Sequence, residues 1–424
     1  MVWPWALLSI FVGMLAGAAS AVFLWLLHQA TSWRESHDWL VFFLPVAGIG
    51  IGLVYESLGK GIEGGNNLVI DSIHDGGTKL PLRMTPLVLL GTVLTHLFGG
   101  SAGREGTAVQ MGASLAEGIS HRLLLGPQLR RHLLIAGVAG GFGSIFGTPI
   151  AGAVFGLEFV VLGRIEYRSL GPALIAALVG DLTARALGAE HTSFPLVSAV
   201  PMTPVLLLQW LAFATAIAAV TVLFVELTHA IRREGQRLLT RLPIRLFCGG
   251  CAFVGLWQTV GSNAYLGLSI PSLLQAFSDP RLPIATFAFK LLFTVITLGA
   301  GFLGGEVTPL FVIGATLGNV LARLLGLPLD LGAGVGMAAA FAAGSNTPLA
   351  LSLMAVELLG GALFPHVTIV CVAAYLMTGQ RSIYSAQRVV QSKLDSATMH
   401  GPTPLRELVE RRKSDFDPEN EKET

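Results

Sequence analysis

Charge is scarce in this sequence. Asp, Glu, Lys and Arg supply 12% of its 424 residues, against about 25% in a soluble globular domain. What charge there is nearly cancels, at +1, so no basic field points to nucleic acid. Cysteine is rarer still: three residues cannot build a disulfide framework. Cys248-Gly-Gly-Cys251 has redox-motif spacing, but it lies in an apolar segment without a βαβ pattern, which favours small packing residues. No His-Glu-x-x-His pair and no glycine-lysine phosphate loop occur, so neither zinc peptidase chemistry nor ATP drive is expected. The expectation is a protein that is not an enzyme and holds no metal or cofactor.

Hydrophobicity fills the gap. The chain is 53% hydrophobic with a mean hydropathy of +0.68. Apolar runs at residues 7–27, 39–55, 206–226 and 331–356 approach the ~20 residues that a spanning helix needs. No Lys or Arg precedes the first run, so a first spanning helix is expected rather than a signal peptide. The predicted fold class is an all-α polytopic membrane protein whose partner is the lipid bilayer.

One stretch interrupts this pattern: Gly-Gly-Ser-Ala-Gly-Arg-Glu-Gly-Thr, residues 99–107. A carboxylate at bilayer depth is costly and marks ion or proton pathways. Broken backbone at that depth survives only where it is buried or lines a cavity. Glu105 is therefore the first candidate site residue.

The same features return about 200 positions later. Phe23-x-x-Leu26-x-His28 matches Phe224-x-x-Leu227-x-His229, Gly103-Arg-Glu105 matches Gly304-Gly-Glu306, and Thr148-Pro149 matches Thr347-Pro348. Charge sets the relative orientation. The loop after the first span has one arginine, Arg34, whereas its counterpart at 232–245 has five. By the positive-inside rule the second is cytoplasmic, as is the basic carboxy-terminal end, and the first need not be. The expectation is two repeats of inverted topology, 1–195 and 196–395, followed by a short charged cytoplasmic tail, 396–424, with both termini cytoplasmic. Transporters built this way bind substrate near the midplane at discontinuous helices. Breaks at residues 64–67, 99–107, 140–149, 301–309 and 344–348 supply free N–H groups and positive helix ends, which are anion seats.

At this point the motifs resemble a family. Gly103-Arg104-Glu105-Gly106 is similar to the signature of the CLC anion channels and transporters. Gly143 to Gly152, Gly304-Gly-Glu-Val-Thr-Pro309 and Gly379-Gln-Arg-Ser-Ile-Tyr384-Ser match further segments in order. The resemblance covers roughly residues 7–391 and implies the CLC fold with broken and half-spanning helices, a homodimer and a cell (inner) membrane location. The departures are specific. Gly65-Asn66-Asn67-Leu68-Val69 stands where most members carry Gly-Ser-Gly-Ile-Pro, Gly305-Glu306-Val307-Thr308-Pro309 replaces Gly-x-Phe-x-Pro, Thr107 stands where proline is common, and Phe159 stands where many exchangers carry an internal carboxylate. Together they resemble the fluoride/proton antiporter branch.

That resemblance implies export of fluoride in exchange for protons, with Glu105 as a proton-linked gate competing with the anion. Chemistry agrees: fluoride is strongly hydrated and needs several donors to replace its water. Asn66 can donate twice, Thr308 and Tyr384 once each through their hydroxyls, and amides near Gly106, Thr107 and Val307 can add charge-assisted bonds. Glu306 is the candidate second proton-handling carboxylate. Alternatives stay open: a chloride- or nitrate-selective exchanger, or a passive anion channel of the same fold. Blander roles also stay open. Glu105 could pair with Arg104, Glu306 could merely cap a helix, Asn67 rather than Asn66 could face the anion, and Tyr384 could anchor at the interface. Glu158 and Glu357 are expected to cap or pair structurally near the cytoplasmic face, and His96 to be a packed neutral ring.

Overall fold

The computed structural model describes residues 3–75, 78–162, 165–198, 200–391, 393 and 398–408. Most of the predicted charged tail, from 409 onward, lies outside them. Among the described residues the first half forms α1 (Trp3–Ser36), α2 (Leu44–Leu58), α3 (Asn66–His74), α4 (Met84–Leu97), α5 (Glu105–Arg122), α6 (Pro127–Phe146), α7 (Pro149–Glu158) and α8 (Leu170–Ala186). The second half forms α9 (Pro204–Leu238), α10 (Leu242–Val260), α11 (Ile270–Gln275), α12 (Thr286–Ala300), α13 (Val307–Leu325), α14 (Leu329–Ser345), α15 (Pro348–Leu359) and α16 (Phe364–Met377). A small sheet joins β1 (Val161–Leu162) in parallel to β2 (Arg388–Gln391) and β2 antiparallel to β3 (Thr398–Pro404).

Among the described residues four helical segments can cross a membrane by length and composition: 5–36, 38–58, 204–238 and 307–325. Six further apolar helices are only 10–17 residues long, as expected for half-spanning helices packed inside a bundle. Start and stop chemistry explains the boundaries. Thr203 caps α9 by accepting from the Leu206 N–H at 3.1 Å, with Pro204 in the first turn.

The apolar run 331–356 is not one span; it parts at the break expected at 344–348, where Asn346 takes a left-handed conformation (φ 60°) that ends α14 and Pro348 opens α15. The Asn346 side chain secures the break by donating to the Arg381 carbonyl and to Gln387 Oε1. The arginine-rich 232–245 segment is not a loop either. Arg232, Arg233 and Arg237 extend α9, and Arg245 lies on α10.

Two helix pairs hold the interior together by backbone contact. A methyl on Gly112 of α5 would stand 2.1 Å from the Gly137 carbonyl of α6, and one on Gly314 of α13 would stand 2.2 Å from the Gly336 carbonyl of α14. Only hydrogen fits there. Close approach of this kind substitutes for the hydrophobic drive that lipid surroundings remove.

Helix ends are exchanged across the molecule. The Glu158 carboxylate accepts from the Leu349 and Ala350 N–H groups that open α15, at 3.1 and 2.9 Å. The Glu357 carboxylate accepts from the Ile150 and Ala151 N–H groups that open α7, at 3.0 and 2.7 Å. Both glutamates are therefore caps, as expected. They sit at opposite ends of an antiparallel helix pair, however, and not together near one face.

Candidate functional site

The two glycine-rich breaks meet. Gly103 and Gly305 form an isolated antiparallel bridge, with N–H to carbonyl distances of 2.6 and 2.8 Å. Immediately after it, α5 starts at Glu105 and α13 starts at Val307, so two positive helix ends converge on one place. Glycine is required here: a methyl on Gly305 would come within 2.8 Å of the Gly106 nitrogen, and Gly304 has φ 152°.

Glu105 is 1% exposed and reaches across to the other helix start. Its Oε2 accepts from the Thr308 N–H at 3.1 Å, and its Oε1 accepts from the Thr308 hydroxyl. Arg104 Nε lies 3.5 Å from Oε1. The expected pairing with Arg104 thus exists, but it is not the main contact. The carboxylate occupies the amino-terminal seat of α13, where an anion is most favoured.

Glu306 stands beside it and differs in kind. It makes no capping hydrogen bond, although it is the residue before α13. Its Oε2 is buried without a hydrogen-bond partner. The helix-cap role is therefore not what holds it there.

A cavity of about 480 Å³ opens on this carboxylate and is lined by Asn66, Thr107, Glu306, Tyr384, Arg232 and Arg245, among others. A separate space of about 10 Å³, roughly one water, is bounded by Arg104, Glu105, Thr308 and Thr192. Glu105 and Thr308 line the small space, and their neighbours Glu306 and Thr107 line the large one. Gly106 sits against Asn66: a methyl there would be 2.9 Å from Asn66 Nδ2 and 3.5 Å from Glu306 Oε2. Val307 is buried and contributes the backbone that opens α13. The Thr107 hydroxyl pairs with Thr92 Oγ1 at 2.8 Å.

Both asparagines line the cavity, and they differ in their partners. Asn67 Oδ1 accepts from the Ala386 N–H at 2.9 Å, so it ties α3 to the carboxy-terminal segment. Asn66 Oδ1 is buried and has no partner. The far end of α3 is clamped as well: Arg388 contacts Asp71 at 3.4 Å and Asp75 at 2.9 Å, and Arg406 contacts Asp71 at 3.1 Å. Tyr384 is buried, not interfacial, and meets Phe159 edge-on with centroids 4.8 Å apart. The position of an internal carboxylate is thus filled by an aromatic ring.

Sequence reasoning missed four further lining residues of the large cavity, Thr92, Gln110, Arg232 and Arg245, which carry no motif of their own. It also missed that Gly99-Gly-Ser101-Ala-Gly103 has the Gly-x-Ser-x-Gly spacing of a hydrolase elbow. Ser101 lies 2.8 Å from Lys290 Nζ, and both are fully buried. His96 is buried as expected, with Nδ1 2.8 Å from the Thr92 carbonyl and Nε2 3.0 Å from that of Ala102.

Comparison with known proteins places this geometry. A chloride/fluoride channel protein of Pseudomonas syringae pv. tomato is 47% identical over 407 residues, spanning 94% of this chain and 88% of its own. The crystal structure of a CLC-type fluoride/proton antiporter matches with a TM-score of 0.88 and 37% identity, covering 91% of this chain and 98% of that one. A slow cyanobacterial Cl−/H+ antiporter matches with a TM-score of 0.77 at 18% identity over 98% of this chain and all of its own, a likeness of fold alone. The sequence model of the voltage gated chloride channel family matches residues 47–379. The chain therefore belongs to the CLC (voltage gated chloride channel) family.

Proposed function

We propose that the protein is a secondary active antiporter that exports fluoride in exchange for protons. The observation that carries this is the position of Glu105: its carboxylate fills the seat at the start of α13 that an anion would occupy. Ionised, the side chain competes with fluoride for the Thr308 N–H and hydroxyl. Protonated, it loses the charge that holds it there, and the seat becomes free. Proton binding and anion occupancy are then coupled through one position.

Fluoride entering from the side of Arg232 and Arg245 meets Asn66, Tyr384 and the amides at Gly106, Thr107 and Val307. These donors replace its water. Glu306, with an unpaired oxygen beside Gly106, is the natural second proton carrier, since Phe159 offers none. The printed names of the Pseudomonas relative and of the antiporter crystal structure support fluoride as the ion. We also propose two inverted repeats, 1–195 and 196–395, because the exchanged caps at Glu158 and Glu357 and the Gly103–Gly305 bridge relate corresponding segments. A homodimer in the cell (inner) membrane with both termini cytoplasmic fits the family and the basic carboxy-terminal end.

The test is Glu105→Gln in proteoliposomes. Passive fluoride movement should persist while proton movement stops. If an imposed proton gradient still drives fluoride uphill through Glu105→Gln, Glu105 is not the gate.

A further inference from the structure

A lysine is also buried in the apolar interior, and among the described residues no acid pairs with it. Lys290 on α12 is 0% exposed. Its Nζ donates to the Gly267 carbonyl at 2.7 Å, Ser101 Oγ at 2.8 Å and Ser269 Oγ at 2.9 Å, with the Tyr265 carbonyl at 3.4 Å. Among the described residues no carboxylate forms an ion pair with it. A bare ammonium at this depth is costly, so what offsets that cost is the ring of neutral oxygens.

Those oxygens come from two separate places. Ser101 belongs to the glycine-rich loop that ends at Glu105. Tyr265, Gly267 and Ser269 form the turn before α11, whose Ile270 and Leu273 border the small space beside Glu105. The turn is bent to suit: Gly267 and Ser269 both have left-handed φ, 55° and 58°. For serine that conformation is uncommon and has to be held by its surroundings. The same helix grips Ser101 twice more, through Thr294 Oγ1 to its hydroxyl at 2.9 Å and through Thr297 Oγ1 to its N–H at 3.1 Å. Two hydroxyls and two carbonyls around one positive charge are the ligand chemistry of a small hard cation. Here the cation is covalently attached.

We propose that Lys290 is a tethered cation, a positioning residue whose charge binds the loop at 99–103 to the turn at 265–269 and so fixes where Glu105 can stand. Its transport consequence rests on the role proposed for Glu105; the clamp itself does not. Three variants separate charge from volume. Lys290→Met fills the space without charge, Lys290→Gln offers neutral donors, and Lys290→Ala leaves an oxygen-lined hole.

The first readout is hydrogen–deuterium exchange on purified protein, which involves no transport. In Lys290→Met and Lys290→Gln the amides of 99–103 and 265–269 should exchange faster together, by on the order of tenfold for the loss of one charge-assisted interaction, while the α13–α14 pair stays protected. The second is the proton-to-fluoride ratio in proteoliposomes. It should fall in all three variants and recover in Lys290→Ala alone when methylammonium is added. Unchanged exchange at the two loops, or wild-type coupling in Lys290→Met, would overturn the proposal, as would Lys290→Ala that is impaired yet unaffected by methylammonium. If wild-type protein showed no fluoride–proton exchange, the function would be wrong while the exchange readout still judged the clamp.

Discussion

The backbone contacts between α13 and α14 make Gly314→Ala a sharp test of how the site is held. The added methyl would lie 2.2 Å from the Gly336 carbonyl, and ordinary contact begins at 3.4 Å, so the two helices must part by 3.4 − 2.2 = 1.2 Å or bend around it. Gly336 faces the same contact from the other side, also at 2.2 Å, so the neighbouring backbone has no slack. Overpacking of this kind costs about 1–3 kcal/mol. The functional cost should be larger, because α13 is rigid and carries Val307 and Thr308 at its start, two turns from Gly314. A misplacement near 1 Å at a site built on geometry can cost about a hundredfold. Gly255 on α10 is the control, since a methyl there meets nothing within 4 Å. Purified Gly314→Ala and Gly255→Ala are compared by thermal unfolding and by fluoride flux in proteoliposomes. Gly314→Ala should melt lower and transport far more slowly, with Gly255→Ala matching wild type. If the two variants behave alike, the helix pair does not set the seat.

Further outcomes follow from single side chains. Asn66→Ser replaces two N–H donors by a single O–H and should lower discrimination of fluoride over chloride in competition flux assays; unchanged selectivity would remove Asn66 from the anion's path. Glu306→Gln should leave passive fluoride movement and abolish proton movement, and full proton coupling in that variant would reduce Glu306 to a bystander. In the carboxy-terminal segment, Lys393 Nζ donates to the Tyr375 carbonyl at 2.8 Å over the Tyr375 ring, and burial draws its pKa from 10.5 to about 7. Between those values the unfolded chain holds a proton that the folded one has released, so stability should rise with pH above about 7. The melting temperature of Lys393→Met should lack that rise, and identical pH profiles for the two proteins would refute the assignment.

Much of this was legible because glycine and proline leave traces that hydropathy alone does not. The breaks at 99–107 and 301–309 were visible as motifs, and their meeting at the Gly103–Gly305 bridge follows from the repeat. The run 331–356 has the length of one span by hydropathy, yet Gly344-Ser-Asn-Thr-Pro348 marks a break inside it, and the left-handed Asn346 is where that break falls. That Asn67 is tied to the Ala386 N–H, 319 positions away, is something no local pattern encodes. Glu158 and Glu357 read as caps, but their placement at opposite ends required the antiparallel packing of α7 and α15. Lys290 was invisible for the same reason: its oxygens come from residues 101, 265, 267 and 269, each unremarkable alone, and a lone lysine in an apolar run suggests no partner until the chain is folded.

Parallel recording of fluoride and proton fluxes bears on the central claim most directly. Proteoliposomes containing the wild-type protein are loaded with fluoride and diluted into fluoride-free buffer, with no initial pH difference. The account predicts that outward fluoride drives protons inward in a fixed ratio, and that the reversal potential shifts with the proton gradient. Rapid fluoride loss with no proton uptake, and a reversal potential set by fluoride alone, would contradict it and make the protein a passive channel.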